Sequence, residues 1–298
     1  MMKIKVYCII VTYNGAKWIE NCLKSIEENK IDLKIIVIDN NSKDNTCDII
    51  QRKFPNVHLI KSDENLGFGG ANNLGAEIAV KNNSKYIYLL NQDTISSANN
   101  IYNLIKIGEL EKEIGVVSPI HLNDNGSALD FSFEDSISSN SCPNLISDLI
   151  LKRTKLFYEI EEVCAASWLV KVEVIKKIGL FSDIFFHYGE DTNFVQRLKY
   201  FKYKLVIVPS VFISHCREER KNVMYTKEHI KRRYNIIMLS KILNINKNFL
   251  GSYKDCVILS LSALSKNEVK SFFKIILLPI LRIKVFKKMR SSYKNVKL

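Results

Sequence analysis

Four carboxylates and one histidine stand where side chains could do chemistry. Asp39 follows the apolar run 34–38, and Asp93 follows the run 86–90 with Asn91 and Gln92 between. Glu190 and Asp191 are adjacent, come after the aromatic stretch 181–188, and open a segment of helical spacing. His215 stands just after the β-rich run 211–214. A carboxylate at a strand end can accept hydrogen bonds from N–H or hydroxyl groups, or hold a divalent cation through oxygen. An ionised carboxylate beside a reacting hydroxyl can take its proton, and a helix N-terminus tends to keep such a group ionised. Each residue also has a purely structural reading: a helix cap for Asp39, helix-start acids for Glu190 and Asp191, a satisfied buried histidine for His215. Ser42 and Asp44 lie nearer the helix after Asp39 and suit its cap better.

A glycine-rich segment, Asn65-Leu66-Gly67-Phe68-Gly69-Gly70, leads into a helix. Its spacing is G-x-G-G after the third strand, whereas the dinucleotide fingerprint is G-x-G-x-x-G after the first. A pyrophosphate-binding Rossmann site is therefore not expected. The glycines predict close approach of the backbone to a ligand, with Asn65 and Asn72 offering amides.

The elements that must position these residues alternate over the first hundred positions. Apolar, β-rich runs at 6–11, 34–38, 57–60 and 86–90 predict strands. Between them, helical spacing covers 16–28, 44–54 and 71–80, with Pro55 as a stop. Such alternation with short connections predicts an α/β fold, a doubly wound and mostly parallel sheet. Ligands of such sheets bind beyond the carboxyl ends of the strands, where the polar clusters 12–14, 39–42 and 91–93 stand. Residues 121–160, rich in Asn, Ser and Asp, read as a variable excursion. Strands are expected again at 163–170, 204–208 and 211–214, with helices at 172–178 and 191–199. From about 225 onward the pattern is helical and basic.

The chain has 298 residues, 47% of them hydrophobic, which is ample for a core and suits one large α/β domain or two smaller ones. The strongly apolar run 275–281 contains Pro279 and falls well short of the ~20 residues of a spanning helix. The apolar stretch in residues 1–11 is too short for a secretory signal and reads as a buried first strand. Seven scattered cysteines without any C-x-x-C read as reduced, mostly buried thiols, from which a cytoplasmic location is expected. The formal net charge of +13 is not spread evenly. Residues 217–298 hold 20 Lys and Arg against 5 Asp and Glu, while residues 1–216 hold 24 against 26. A near-neutral body with a basic tail points to an anionic partner for the tail.

Several blocks resemble family 2 glycosyltransferases. They are Val11-Thr12-Tyr13-Asn14, Val37-Ile38-Asp39-Asn40-Asn41-Ser42, the segment 65–73 and Leu89-Leu90-Asn91-Gln92-Asp93. Ala165-Ala166-Ser167-Trp168-Leu169-Val170, Phe185-Phe186-His187-Tyr188-Gly189-Glu190-Asp191 and His215 follow in the same order. The likeness spans about residues 4–235 and is greatest to the rhamnosyltransferase-like branch. It implies a GT-A fold, a nucleotide-sugar donor, Mg2+ or Mn2+ as cofactor, and inverting chemistry. Carried over residue by residue, it implies Asp191 as general base and Asp93 with His215 as metal ligands. It implies donor contacts from Thr12, Tyr13, Asn14, Asp39, Asn65, Gly69, Asn72, Asn91 and Gln92. Trp168 and Glu190 are the expected acceptor contacts. The family usually carries an acidic triplet where this chain has Asn91-Gln92-Asp93, so only the last carboxylate remains. Gln92-Asp93 with Thr94 resembles rhamnosyltransferases, and that resemblance implies dTDP-rhamnose as the leading donor, with UDP-sugars open.

The expected organisation is a GT-A catalytic domain at 1–216, its nucleotide-sugar half about 1–120 and its acceptor half about 121–216. A basic helical C-terminal region follows at 217–298. Apolar helical spacing beside Lys and Arg there, as at Ile236, Ile237, Leu239, Ile242 and Leu243, predicts a helix lying on an anionic membrane surface. The acceptor would then be a glycan or polyprenyl-linked glycan of surface-polysaccharide assembly, with the protein peripheral on the inner face of the plasma membrane. Two other classes compete. A sugar-nucleotide nucleotidyltransferase usually puts a basic glycine-rich loop straight after its first strand, where this chain has Thr12-Tyr13-Asn14-Gly15. A nucleic-acid-binding protein could use the tail and its aromatics, among them Tyr225, Tyr234 and Phe273, yet no binding motif is present and the carboxylates at the strand ends would go unexplained.

Overall fold

The computed structural model describes residues 4–27, 31–97, 99–217 and 226–295; Tyr225 lies outside them. In chain order the elements begin β1 (Lys5–Thr12), α1 (Ile19–Glu27), β2 (Asp32–Asp39), α2 (Thr46–Lys53), β3 (His58–Lys61), α3 (Gly67–Lys81), β4 (Tyr86–Asn91) and β5 (Thr94–Ile95). They continue α4 (Asn100–Gly108), β6 (Ile114–Leu122), α5 (Phe133–Ser136), α6 (Leu145–Ile150), β7 (Tyr158–Glu159), β8 (Ser167–Lys171), α7 (Val172–Ile178), α8 (Glu190–Tyr200) and β9 (Lys204–His215). Four helices end the described chain: α9 (Lys227–Ile242), α10 (Phe249–Ser265), α11 (Val269–Leu281) and α12 (Ile283–Lys294).

One sheet runs β3-β2-β1-β4-β8-β6-β9-β5, with β7 added to β9. β1 is buried on both faces, and alternate residues feed two separate cores. Val6, Cys8 and Ile10 join α1 and α4 residues on one face. Tyr7 and Ile9 join α3, α7 and α8 residues on the other. The apolar runs at 6–11 and 86–90 are continuous because both sides need covering. Gly75 of α3 lets that helix settle on the sheet, since a Cβ there would meet Ile9 Cγ2 at 2.7 Å.

The four strands β3, β2, β1 and β4 are parallel, as the alternation predicts. The other half is mixed: β8 runs antiparallel to β4 and β6, and β5 and β7 antiparallel to β9. The two short strands expected at 204–208 and 211–214 are one strand, β9, whose pairing with β6 shifts register between Pro119 and Ile120. Proline cannot donate to the ladder, so the shift falls where pairing is already interrupted. The strand expected over 163–170 is shorter, β8 only.

The C-terminal helices bury a third core of Tyr234, Met238, Ile242, Cys256, Ile275 and Phe286. Phe185, from the loop before α8, is part of it. Ser182 Oγ lies 2.6 Å from Tyr293 Oη, and Asn246 Nδ2 donates to the Gln196 carbonyl at 2.7 Å. The basic region is thus packed against the loop and helix that carry Glu190 and Asp191. No described helix is long and apolar enough to cross a membrane.

Candidate active site

The parallel register puts Thr12 beside Asp39 and Val11 beside Asn91. Three clusters far apart in sequence therefore meet at one edge of the sheet. A cavity of about 360 Å³ opens there, lined in part by Tyr13, Asn65, Asn91, Gln92 and Asp93. Phe186, His187 and Arg232 close its other side.

Much of the polar inventory builds this edge. Thr12 Oγ1 donates to Gln92 Oε1 at 2.5 Å, the Tyr13 N–H donates to the same oxygen at 3.1 Å, and Gln92 Nε2 donates to the Tyr13 carbonyl at 3.3 Å. Gln92, standing where the family usually has an acid, clamps the end of β1. Asn14 is tied down from both ends, its N–H to Ser42 Oγ and its Oδ1 to the Lys43 N–H. Asp44 takes the Thr46 N–H and hydroxyl at the start of α2 and also the Ala16 N–H. Burial would raise its pKa, yet these hydrogen bonds hold it below the ordinary value. Asn40, which sequence reasoning did not single out, donates to Asn65 Oδ1 at 2.9 Å and accepts the Leu66 N–H at 2.7 Å. Asp39 accepts the Ser42 N–H through Oδ2, while its buried Oδ1 has no hydrogen-bond partner.

The glycine segment behaves differently from expectation. It is the first turn of α3, and the close approach is to the chain itself. Gly67 has φ +74°, and a Cβ there would overlap the Phe186 carbonyl oxygen, which accepts the Phe68 N–H at 3.1 Å. Gly69 is a correction to the expected donor contact: it faces Phe181 and Glu190 Cβ atoms. Asn72 is likewise corrected, being buried with its amide on the Phe68 carbonyl. The segment's role is to seat the 185–187 loop beside the cavity.

Asp93 and His215 come together because β5 pairs antiparallel with β9, Thr94 opposite His215. His215 Nε2 lies 3.4 Å from Asp93 Oδ1 and Nδ1 lies 3.9 Å from Asp130 Oδ2. His215 is 1% exposed, and neither ring nitrogen has a hydrogen-bond partner. A satisfied structural histidine would have one. The pair fits a divalent cation, offering a carboxylate oxygen and an imidazole nitrogen 3.4 Å apart. Asp130 and Arg217 stand behind it in an ion pair, Arg217 Nε to Asp130 Oδ2 at 2.7 Å. Burial raises the Asp130 pKa, but Arg217 and Ser132 outweigh it and hold the carboxyl at about 2.

His121 from β6 and Cys164 adjoin the same histidine, and sequence spacing held no signal for either. His121 Nδ1 lies 3.7 Å from Cys164 Sγ. Burial, then His215, holds the His121 pKa well below the ordinary value. Burial pushes the Cys164 thiol up to about 11.

Glu190 and Asp191 begin α8 after Gly189 at φ +93°. The helix N-terminus does not dominate their ionisation, contrary to expectation. Burial, then Asp191, pushes Glu190 up to about 7. Burial, then Glu162, pushes Asp191 up to about 6, against the pull of N–H groups of Thr192, Asp191 and Ala165. Glu190 is buried with Oε2 unpartnered. Trp168 is a clear correction. It is 0% exposed, and its ring centroid lies 5.9 Å from that of Phe194 and 6.5 Å from that of Phe181. Its faces are packed in the core and are not open to a sugar.

Arg232 is a further residue that sequence reasoning missed. It lies on α9, is exposed, and lines the cavity with its guanidinium 3.5 Å from the His187 carbonyl. Nothing in a run of Lys and Arg distinguishes the one that reaches the cleft.

With the sheet, the cavity and the paired carboxylate and histidine in view, comparison with known proteins is direct. The model of glycosyl transferase family 2 matches residues 7–179, and the chain belongs to that family. Over 103 residues it is 33% identical to the SPbeta prophage-derived glycosyltransferase SunS of Bacillus subtilis, covering 35% of this chain and 23% of that protein. It is 36% identical over 103 residues to the dTDP-rhamnosyl transferase RfbG of Shigella flexneri, covering 32% of this chain and 35% of that one. The matches thus span well under half the length of these curated relatives. The fold is similar to that of S. aureus TarS 1-349 in complex with UDP, with a TM-score of 0.57 at 15% identity, covering 98% of this chain and 92% of that one. GalNAc-T7 with UDP, GalNAc and Mn2+ gives a TM-score of 0.60 at 14% identity, covering 95% and 58%. The fold is of the GT-A type with a helical C-terminal extension.

Proposed function

We propose that the protein is an inverting glycosyltransferase that moves a sugar from a nucleoside-diphosphate donor to a hydroxyl of a glycan or lipid-linked acceptor. The observation that carries this reading is the pairing of Asp93 with an unsatisfied, buried His215 at the strand-end cavity, with ionisable Asp191 on the adjoining α8. Asp93 and His215 would hold Mg2+ or Mn2+, and such a cation, when bound, neutralises charge growing on a departing diphosphate. Asp191 takes the proton of the acceptor hydroxyl as its oxygen attacks the anomeric carbon. The bond to the donor's diphosphate oxygen breaks in the same displacement, on the opposite face, which inverts the centre. Arg232 offers a guanidinium to the diphosphate. Asp39, at the end of β2, suits the base or ribose.

dTDP-rhamnose leads as donor, supported by the similarity to RfbG; UDP-sugars follow, since TarS binds UDP and UDP-GlcNAc. We read residues 1–216 as the catalytic unit and 217–298 as a helical unit that rests on an anionic membrane. The α9 face expected to lie on the membrane turns inward instead, with Ile242 and Leu243 buried in the third core; support for the second comes from large apolar side chains left exposed on α10 and α11, among them Ile258, Leu261, Phe273, Leu277 and Leu281. The test of the site is nucleotide binding. Asp93→Ala should weaken dTDP or UDP binding in Mn2+ and make little difference in EDTA. Equal binding by variant and wild type in Mn2+ would contradict the assignment.

A further inference from the structure

The cluster behind Asp93 has a composition that a Mg2+ or Mn2+ site does not need. His121, Cys164 and His215 each offer one ligand atom, and all three atoms lie within 4.8 Å of one another. Two nitrogens with a thiolate sulfur are donors for a borderline-soft ion; the sulfur is the donor that hard Mg2+ and Mn2+ do not select. Zinc bonds are about 2.0–2.1 Å to nitrogen and about 2.3 Å to sulfur, so tetrahedral ligands stand roughly 3.3–3.6 Å apart. His121 Nδ1 and Cys164 Sγ, at 3.7 Å, are already near that spacing. The third ligand, within 4.8 Å of the other two, needs to close by about an ångström. An independent observation points to a ligand here: His215 is buried with neither nitrogen hydrogen-bonded.

The geometry points to a zinc-type site made by His121, Cys164 and His215, distinct in its donor set from the Asp93 site but sharing His215. On binding, Cys164 Sγ releases its proton to solvent and ligates as thiolate. Three protein ligands leave one coordination position open, which water fills. Because one imidazole cannot serve both sites in full, zinc occupancy competes with the cation that assists donor binding. This last consequence rests on the proposed glycosyl transfer; the site itself does not.

Cobalt(II) reports on such a site directly, because thiolate ligation produces a near-ultraviolet charge-transfer band that oxygen and nitrogen ligands do not. The full-length protein, titrated with Co2+ in excess Mg2+, should develop that band to one equivalent, and Zn2+ should displace it. Cys164→Ser should abolish the band. His121→Asn should weaken binding at least about 10-fold, as loss of a ligand costs no less than loss of a residue supporting one. Asp93→Ala should keep the band. No band in the wild type, or a band surviving in Cys164→Ser, would overturn the site. In a parallel arm, Zn2+ should inhibit donor turnover in Mg2+ for the wild type and spare Cys164→Ser. Absence of all turnover with the cobalt band intact would count against the transferase reading alone, and equal inhibition of both proteins would overturn the competition.

Discussion

At the scale of single residues, the active-site carboxylates are set by burial more than by the helix that begins with them. Asp191 titrates near 6 and Glu190 near 7, each lifted chiefly by loss of water. A base works only when ionised, so turnover should fall as pH drops through about 6 and decline about tenfold for each further unit. The stability consequence has the opposite sign. Both groups hold protons more tightly when folded, so their stabilising contribution is present below the unfolded carboxylate value of about 4 and is lost as pH rises through about 6 and 7. Asp191→Asn should therefore melt no lower than the wild type at pH 8, while turnover falls by ~10²–10⁴. Near-normal turnover in that variant would remove Asp191 from the mechanism. His121, Cys164 and Asn40 were not legible in the sequence as site residues, because strand pairing and loop packing bring them in and no local spacing marks them.

At the scale of elements, the strand ends were readable and the supports were not. Apolar β-branched runs ending in Asn, Asp and Gln located β1, β2 and β4, and with them the cavity edge. α4 and β6 went unassigned, since β6 carries Pro119 within its run and the bulge it accompanies breaks the strand pattern. The glycines were read as ligand contacts because sequence shows only that a backbone comes close, not to what. α9 presents the most consequential omission. It carries Arg232 into the cleft from a region that sequence assigns to a basic membrane-surface helix. A charge-assisted hydrogen bond contributes about 1.5–3 kcal/mol, so Arg232→Gln should raise the donor KM by roughly 10-fold or more, with the fold intact because the side chain is exposed. An unchanged donor KM would show that Arg232 only lines the cavity.

At the scale of the whole molecule, charge and apolar surface coincide. The excess of basic residues lies in 217–298, where α10 leaves Ile258 59% exposed and α11 leaves Leu281 76% exposed. Each Lys or Arg near an anionic bilayer contributes about 1 kcal/mol, and salt screens it. Vesicles with anionic lipid should co-sediment the protein, neutral vesicles far less, and added salt should release it. Equal partitioning to both lipids, or to neither, would remove the membrane from the account while leaving the catalytic unit as described. Phe185 joins the core of the C-terminal helices and Gly189 faces Ile236 of α9, so these helices brace the loop bearing Glu190 and Asp191.

Glycosyl transfer is the claim on which the rest depends, and donor cleavage tests it most directly. The full chain should be incubated with dTDP-rhamnose and a set of UDP-sugars, in Mg2+ or Mn2+, with membrane-derived glycolipid as acceptor, and released nucleoside diphosphate measured. The account predicts release from at least one donor, with dTDP-rhamnose first, dependent on acceptor and cation and lost in Asp191→Asn. Folded protein that releases no diphosphate from any donor, or releases it equally from wild type and Asp191→Asn, would contradict it.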